Sequence, residues 1–75
     1  MNKEENRIEI LKAMHTIMTY MNNENAYWSW VTLGVPDEPQ EDDFESIAED
    51  EDSFNEVTEH FTEVFKEYSK DGFAV

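Results

Sequence analysis

Apolar residues recur every three or four positions in two long segments of the chain, 3–21 and 53–70. This spacing places apolar side chains along one side of an α-helix and leaves the other side polar. The pattern therefore predicts two long amphipathic helices over these segments. The first stripe contains Ile10, Leu11, Met14, Ile17, Met18 and Met21, and the second contains Phe54, Val57, Phe61, Val64, Phe65 and Tyr68.

Residues with strong end preferences flank the second long helix. Ser53, with Glu56 three residues later, has the sequence of a capping box, and Asp52 is the alternative cap. At the other end, the segment 71–73, Asp-Gly-Phe, is typical of a Schellman ending, in which glycine turns left-handed and the next apolar residue folds back. These signals predict a helix that begins near residue 53 and ends near residue 70.

The segment 24–33, ENAYWSWVTL, can be interpreted in two ways. As a helix, it places Tyr27 and Trp30 on one face, with Asn23 as the N-cap. Its aromatic and β-branched content is instead typical of a strand. The segment is followed by Gly34 and, two residues later, by a proline, which is typical of a helix end. A short helix is therefore predicted.

A second short helix is predicted over 40–49, where Phe44, Ile47 and Ala48 have helical spacing and Pro39 precedes the first turn. Together these segments predict an all-α fold, a single domain over 1–75 that forms a small bundle of three to four helices. The two long helices are expected to be antiparallel, with the short helices covering an open edge of the pair.

The charge of the chain adds a strongly anionic surface to this core. The sequence has 19 Asp and Glu against 5 Lys and Arg, which gives a formal net charge of −14. No Lys or Arg occurs between Lys12 and Lys66, and ten of the sixteen residues of 37–52 are acidic. Such a surface repels nucleic acids and acidic lipids and attracts basic protein surfaces. Direct binding to nucleic acid is therefore not expected.

Compartment signals are few. The chain has no cysteine, its first ten residues contain no apolar leader region, and no apolar run approaches the ~20 residues of a membrane span. We therefore expect a cytoplasmic protein without a membrane segment.

No motif indicates catalysis or a cofactor. Two glycines are too few for a phosphate-binding loop, and no serine lies in a nucleophile elbow. No EF-hand register fits the acidic block: a start at Asp50 places Phe54 at a ligand position and Asn55 at the glycine position, and a start at Asp37 places Pro39 at a ligand position and Asp42 at the glycine position. Glu56, His60 and Glu63 have the spacing of a two-carboxylate, one-histidine metal site, but the same carboxylates also serve as a solvated helix face. We expect no enzymatic activity, no cofactor and no bound metal.

Acidic residues continue along the outer face of the second long helix, where Asp52, Glu56, Glu59 and Glu63 recur at spacings of four, three and four. The helix dipole favours acids in a first turn and gives progressively less reason for those farther on. The row is either a solvated acidic face or a contact surface that imitates a phosphate backbone and occupies a Lys/Arg groove.

Aromatic residues supply a second candidate for partner contact. A helix over 24–33 would point Trp28 away from Tyr27 and Trp30, so that Trp28 is either an exposed interface anchor or one more core residue. The complete set of residues predicted to contact a partner is Glu45, Glu49, Asp52, Glu56, Glu59, Glu63 and Trp28.

This profile, a short acidic chain with an aromatic core, resembles the small acidic inhibitors carried by phages and mobile elements, including nucleic-acid mimics and anti-restriction or anti-CRISPR proteins. The resemblance is one of composition. It implies a cytoplasmic, non-enzymatic inhibitor that binds the basic surface of a nucleic-acid-binding protein. The alternative is a structural helical module that self-associates into a homo-oligomer through apolar helix faces or Trp28.

Overall fold

The computed structural model describes residues 2–21 and 23–71, and this part of the chain is helical with no strand. It forms four helices, α1 (Lys3–Tyr20), α2 (Glu24–Thr32), α3 (Glu41–Glu49) and α4 (Glu51–Asp71). The described residues occupy about 34 × 22 × 20 Å. The prediction of an all-α bundle is confirmed, and the strand interpretation of 24–33 is wrong. The predicted Schellman ending at 71–73 extends beyond the described residues.

The ends of α2 follow from local sequence as predicted. The Asn23 side chain accepts a hydrogen bond from the backbone N–H of Ala26 at 3.2 Å, which satisfies one of the free donors at the helix start. Gly34 has φ +117°, a conformation that only glycine adopts easily, and its N–H donates to the Val31 carbonyl at 3.1 Å. The linker 33–40 therefore leaves α2 in a fixed direction.

A single residue, Asp50, separates α3 from α4. Its Oδ1 accepts hydrogen bonds from the backbone N–H groups of Asp52 at 3.0 Å and Ser53 at 3.3 Å. The predicted cap at Ser53, with Asp52 as the alternative, is therefore wrong, and α4 begins two residues earlier. Three residues in this stretch have good capping side chains, and Asp50 caps the helix because α3 ends directly before it.

We expect Asp50→Ala to lower the free energy of unfolding by about 1 kcal/mol, because two backbone donors at the start of α4 lose their acceptor. Asp50→Asn should retain most of the stability, since its amide oxygen accepts the same bonds. Urea denaturation followed by circular dichroism measures both variants. Ser53→Ala is the control: if it proves more costly than Asp50→Ala, Asp50 is not the cap.

The two long helices run in the same direction, so the prediction that they are antiparallel is wrong. Near the start of both helices, Arg7 Nη2 lies 3.7 Å from Glu51 Oε1, and near their ends the Tyr68 hydroxyl donates to the Tyr20 carbonyl at 3.5 Å. The chain reverses after α1 and again at Asp50, and two reversals restore the original direction.

The linker 33–40 explains the difference, because it joins two helices that run in the same direction. Eight extended residues reach at most about 26 Å, whereas the nine residues of α2 measure about 14 Å. The linker can therefore carry the chain back along α2 and start α3 without a reversal. α3 then lies antiparallel to α1, with Glu41 beside Lys12 and Ala48 beside Arg7.

The core lies among the four helices and receives Val35 from the linker. Trp30 is its largest fully buried side chain. Ile10 is 47% exposed, which corrects its predicted place in the apolar stripe of α1. Consecutive residues on a helix point about 100° apart, so that burying Leu11 turns Ile10 to the flank. The buried apolar residues are Leu11, Met14, Met18, Met21, Ala26, Trp30, Val35, Phe44, Ile47, Ala48 and Val57.

Candidate protein-binding surface

The acidic row, defined as Asp52, Glu56, Glu59 and Glu63, lies along α4 with all four side chains exposed. These positions face away from Val57, which is fully buried on the opposite side of the helix. Eleven residues at 1.5 Å per residue place the first and last member about 16 Å apart. The row is therefore a straight line of carboxylates fixed on the longest helix.

None of these four carboxylates forms an ion pair within the described residues. The ion pairs there are Arg7–Glu51 at 3.7 Å and Lys12–Glu41 at 2.7 Å. Both bring α1 against the acids at the starts of α4 and α3. Neighbouring acids of the row are three or four positions apart and repel each other, at a cost of about 0.2–0.5 kcal/mol per pair. The four carboxylates of the row thus face solvent.

An apolar residue lies beside the row. Leu33, the C-cap of α2, lines an open groove of about 620 Å³ together with Glu56, Glu59, Glu63 and His60 of α4. The negative end of the α2 dipole adds to the potential here, because no basic residue occupies the last turn of that helix. The groove combines negative charge with an apolar wall. Sequence reasoning missed it, since nothing in the linear order places residue 33 against residues 56–63.

The other predicted contact residues lie elsewhere. Glu49 is exposed at the end of α3 and leads through Asp50 into the row. Glu45 is exposed on the flank of α3 that faces Lys12, and its charge, with those of Glu41 and Glu9, helps to raise the pKa of that lysine. The hydrogen bond from Lys12 to Glu41 is the main cause of the increase. Glu45 therefore belongs to the side of the bundle near α1.

Trp28 is 49% exposed, as its helical position predicts. Its ring packs edge-on against Tyr27, with centroids 5.6 Å apart and planes at 85°. Two residues along a helix turn about 200°, so Trp28 leaves α2 opposite the buried Ala26 and Trp30. The predicted contact set therefore divides into the row on α4, with Glu49 just before it in the chain, Glu45 on the flank of α3, and Trp28 on the outer side of α2.

His60 is held by α2. Its Nε2 lies 3.1 Å from the Ala26 carbonyl oxygen, so the imidazole can donate a hydrogen bond there. This contact fixes the orientation of the imidazole ring. Within residues 2–21 and 23–71, no three His, Asp or Glu side chains are grouped closely enough to hold a metal.

A second polar group, formed by His15, Tyr27 and Asp37, has no signal in the sequence. Tyr27 donates a hydrogen bond from its hydroxyl to Asp37 Oδ1 at 2.8 Å. Burial, and then this bond, raise the pKa of Tyr27, which keeps the hydroxyl protonated as a donor. Burial lowers the pKa of the neighbouring His15. Positions 15, 27 and 37 come from three separate segments, so no spacing rule connects them.

No helix in the described part of the chain is long and apolar enough to cross a membrane.

Comparison with protein-family models, with curated proteins and with solved structures found no match. The candidate surface is therefore interpreted from its own geometry and charge.

Proposed function

We propose that this protein is a non-enzymatic binder that places the acidic row against a Lys/Arg-rich surface of a nucleic-acid-binding protein and thereby blocks that surface. The observation that supports the proposal is the row itself, four exposed carboxylates without an ion-pair partner in the described structure. A basic groove evolved for phosphates is the surface that complements such a row.

The linear charge density of the row is comparable to that of a nucleic-acid strand. Four carboxylates over about 16 Å give one charge per ~5.5 Å, whereas one strand of DNA carries one charge per about 3.4 Å along its axis. The row thus has roughly 60% of the linear charge density of a strand. Because the helix fixes the carboxylates in advance, binding costs less conformational entropy than ordering a flexible acidic tail.

Leu33 adds a feature that suits long basic side chains. Lys and Arg carry a charged group at the end of an apolar stem. In the groove beside the row, the stem can lie on Leu33 while the charged group reaches Glu56, Glu59 or Glu63. Such a site accepts Arg or Lys and excludes acidic side chains, which supports a basic protein surface as the ligand.

The test uses a triple variant, Glu56→Gln/Glu59→Gln/Glu63→Gln, immobilised beside the wild type and exposed to a lysate of the source cells at low salt. The wild type should recover a nucleic-acid-binding protein that is released at high salt or by added duplex DNA. The triple variant should bind that protein roughly 10²-fold more weakly, because three exposed ion pairs of about 1 kcal/mol each are lost.

The matched control is Glu4→Gln/Glu9→Gln/Glu24→Gln, which removes the same charge from exposed positions on α1 and α2. It should bind like the wild type. Neutralising the row relieves repulsion within α4, so unfolding should not explain lost binding. If the row variant and the wild type recover the same proteins with equal affinity, the proposal is wrong.

Self-association through Trp28 is the second candidate, favoured by the 49% exposure of that ring. It predicts an oligomer at high salt, where repulsion between anionic copies is screened. Sedimentation equilibrium should then show this oligomer for the wild type and a monomer for Trp28→Ala. A monomeric wild type at all salt and protein concentrations would exclude this candidate.

A further inference from the structure

Side chains from three helices and the linker 33–40 meet around His15. The His15 ring lies between the rings of Tyr27 on α2, with centroids 6.0 Å apart, and Phe44 on α3, with centroids 6.2 Å apart. Asp37 of the linker joins this cluster through its hydrogen bond from the Tyr27 hydroxyl at 2.8 Å. The linker between α2 and α3 is thus fastened beside the partly buried imidazole of His15.

The surroundings of the buried Nδ1 atom suit a neutral imidazole. His15 Nδ1 is buried and has no hydrogen-bond partner in the described structure. A neutral ring can leave that nitrogen without a hydrogen, but an imidazolium carries an N–H on both nitrogens. Protonation would therefore bury a charged donor without an acceptor, which destabilises the enclosed state. Burial lowers the pKa of His15 accordingly, while the nearby charge of Asp37 acts in the opposite direction with a smaller effect.

The linker is held in a strained conformation. Glu38 has φ +55°, in the left-handed region that residues other than glycine adopt at a cost in free energy. It lies between two anchors, the Tyr27–Asp37 hydrogen bond and a bond from the Gln40 N–H to Asp43 Oδ2 at 2.8 Å. If the first anchor fails, the Glu38 backbone can relax.

We propose that His15 and Tyr27 form an acid-sensitive latch, in which a neutral His15 ring keeps the linker 33–40 docked and protonation of that ring releases it. This inference does not depend on the acidic row or on its partner. The linker would change conformation while α1 and α4 stay in place, because the contacts between Arg7 and α4 do not involve His15.

The charged and titratable groups around His15 are consistent with release of the linker when His15 is protonated. Tyr27 faces it from α2, Asp37 from the linker, and Lys12 and Glu41 line the same hollow from α1 and α3. Lys12 and Glu41 pair at 2.7 Å and largely offset each other. Asp37 is the remaining carboxylate, and it already accepts the Tyr27 hydroxyl.

The pH window follows from the sign of the shift. The pKa of His15 is lower in the folded chain than the ordinary value of about 6.5 in the unfolded chain. Its contribution to stability is therefore complete above pH ~6.5 and is lost as the pH falls through the folded pKa.

NMR titration of the intact chain from pH 7.5 to pH 5 tests the latch. We expect the backbone amide signals of Asp37, Glu38 and Gln40 to shift with the same midpoint as the His15 ring, below pH 6.5. In His15→Gln these amide shifts should disappear over this range. His60→Gln is the matched control and should keep them, because His60 belongs to α4 and contacts Ala26 of α2.

A second variant separates the latch from a loss of folding. Tyr27→Phe removes the hydroxyl that holds Asp37, so its linker signals at pH 7.5 should already resemble those of the wild type at low pH. Linker signals that stay unmoved in the wild type between pH 7.5 and pH 5, or that move equally in His15→Gln, would overturn the proposal. Wild-type linker signals in Tyr27→Phe at pH 7.5 would overturn it as well.

Discussion

Replacing Trp30 by alanine should lower the free energy of unfolding by about 3–5 kcal/mol. Trp30 is completely buried, and its ring meets Phe61 edge-on with centroids 6.2 Å apart. Truncation of a buried aromatic ring to Ala costs about 3–5 kcal/mol, since transfer free energy is lost and a cavity remains. At roughly 0.05–0.15 kcal/mol per residue, a chain of 75 residues has only about 4–11 kcal/mol of stability. The substitution therefore removes a large fraction of it.

The chain contains its own matched control, because Trp28 belongs to the same helix but is 49% exposed. Trp28→Ala should change the free energy of unfolding by about 1 kcal/mol or less, since surface substitutions have small effects. Thermal and urea denaturation, followed by circular dichroism at 222 nm, compare the two variants. A cost for Trp28→Ala equal to that for Trp30→Ala would contradict the orientation of α2.

Trp30→Phe refines this comparison. The Trp30 Nε1 is buried without a hydrogen-bond partner in the described part of the molecule. Phenylalanine removes this unsatisfied donor, whose burial costs about 1–3 kcal/mol. It also leaves a smaller void than alanine does. We expect Trp30→Phe to be clearly more stable than Trp30→Ala.

Local sequence determined the helices and much of the core. The apolar spacing of Phe44, Ile47 and Ala48 predicted a buried face of α3, and all three residues are buried. Asn23 and Gly34 predicted the ends of α2 because each residue has a strong preference for its position. These signals act within a few residues, so that they remain readable without the tertiary structure.

Tertiary relations were not readable in the same way. The direction of α4 relative to α1 depends on the linker 33–40, whose length permits either direction. Ile10 fits the apolar stripe of α1 as well as Met14 does, and only the position of the neighbouring helices decides which one is buried. His15, Tyr27 and Asp37 come together because α2 and the linker bring Tyr27 and Asp37 to His15 of α1, which no local pattern encodes.

The candidate surface shows the same division. The exposure of Asp52, Glu56, Glu59 and Glu63 follows from the helical period of α4 alone, and the structure places them on one face as predicted. Leu33 reaches this face only because α2 runs antiparallel to α4. Glu45 and Trp28 lie away from the row because of the way α3 and α2 pack in the bundle, which the sequence pattern does not show.

Arg7 should account for the second largest effect of a single substitution, because it connects α1 to both α3 and α4. Its Nη1 donates to the Ala48 carbonyl at 3.0 Å, in the last turn of α3, and its guanidinium lies 5.1 Å from the centre of the Phe54 ring. A hydrogen bond from a charged donor contributes about 1.5–3 kcal/mol, and a cation–π contact about 0.5–1 kcal/mol. These contacts are not additive, so Arg7→Met should cost about 2–3 kcal/mol.

Geometry, rather than charge alone, underlies this expectation. The Arg7 side chain is 16% exposed, whereas Glu51, its ion-pair partner at 3.7 Å, is 70% exposed, so the ion pair itself adds at most about 1 kcal/mol. Arg7→Lys retains the positive charge but cannot reproduce the planar fork that meets a carbonyl and a ring together. It should therefore recover only a small part of the loss.

Lys12→Met is the matched control, because it also removes one positive charge from α1 but breaks an exposed pair with Glu41. Its effect should be much smaller and should shrink further in 0.5 M NaCl, where charges at the surface are screened. Urea denaturation at low and high salt measures all three variants. If Arg7→Lys is as stable as the wild type, or if Arg7→Met loses its effect in salt, the role of Arg7 is to offset the net charge of −14. A loss that persists in salt means that the contacts of one guanidinium hold α1 against α3 and α4.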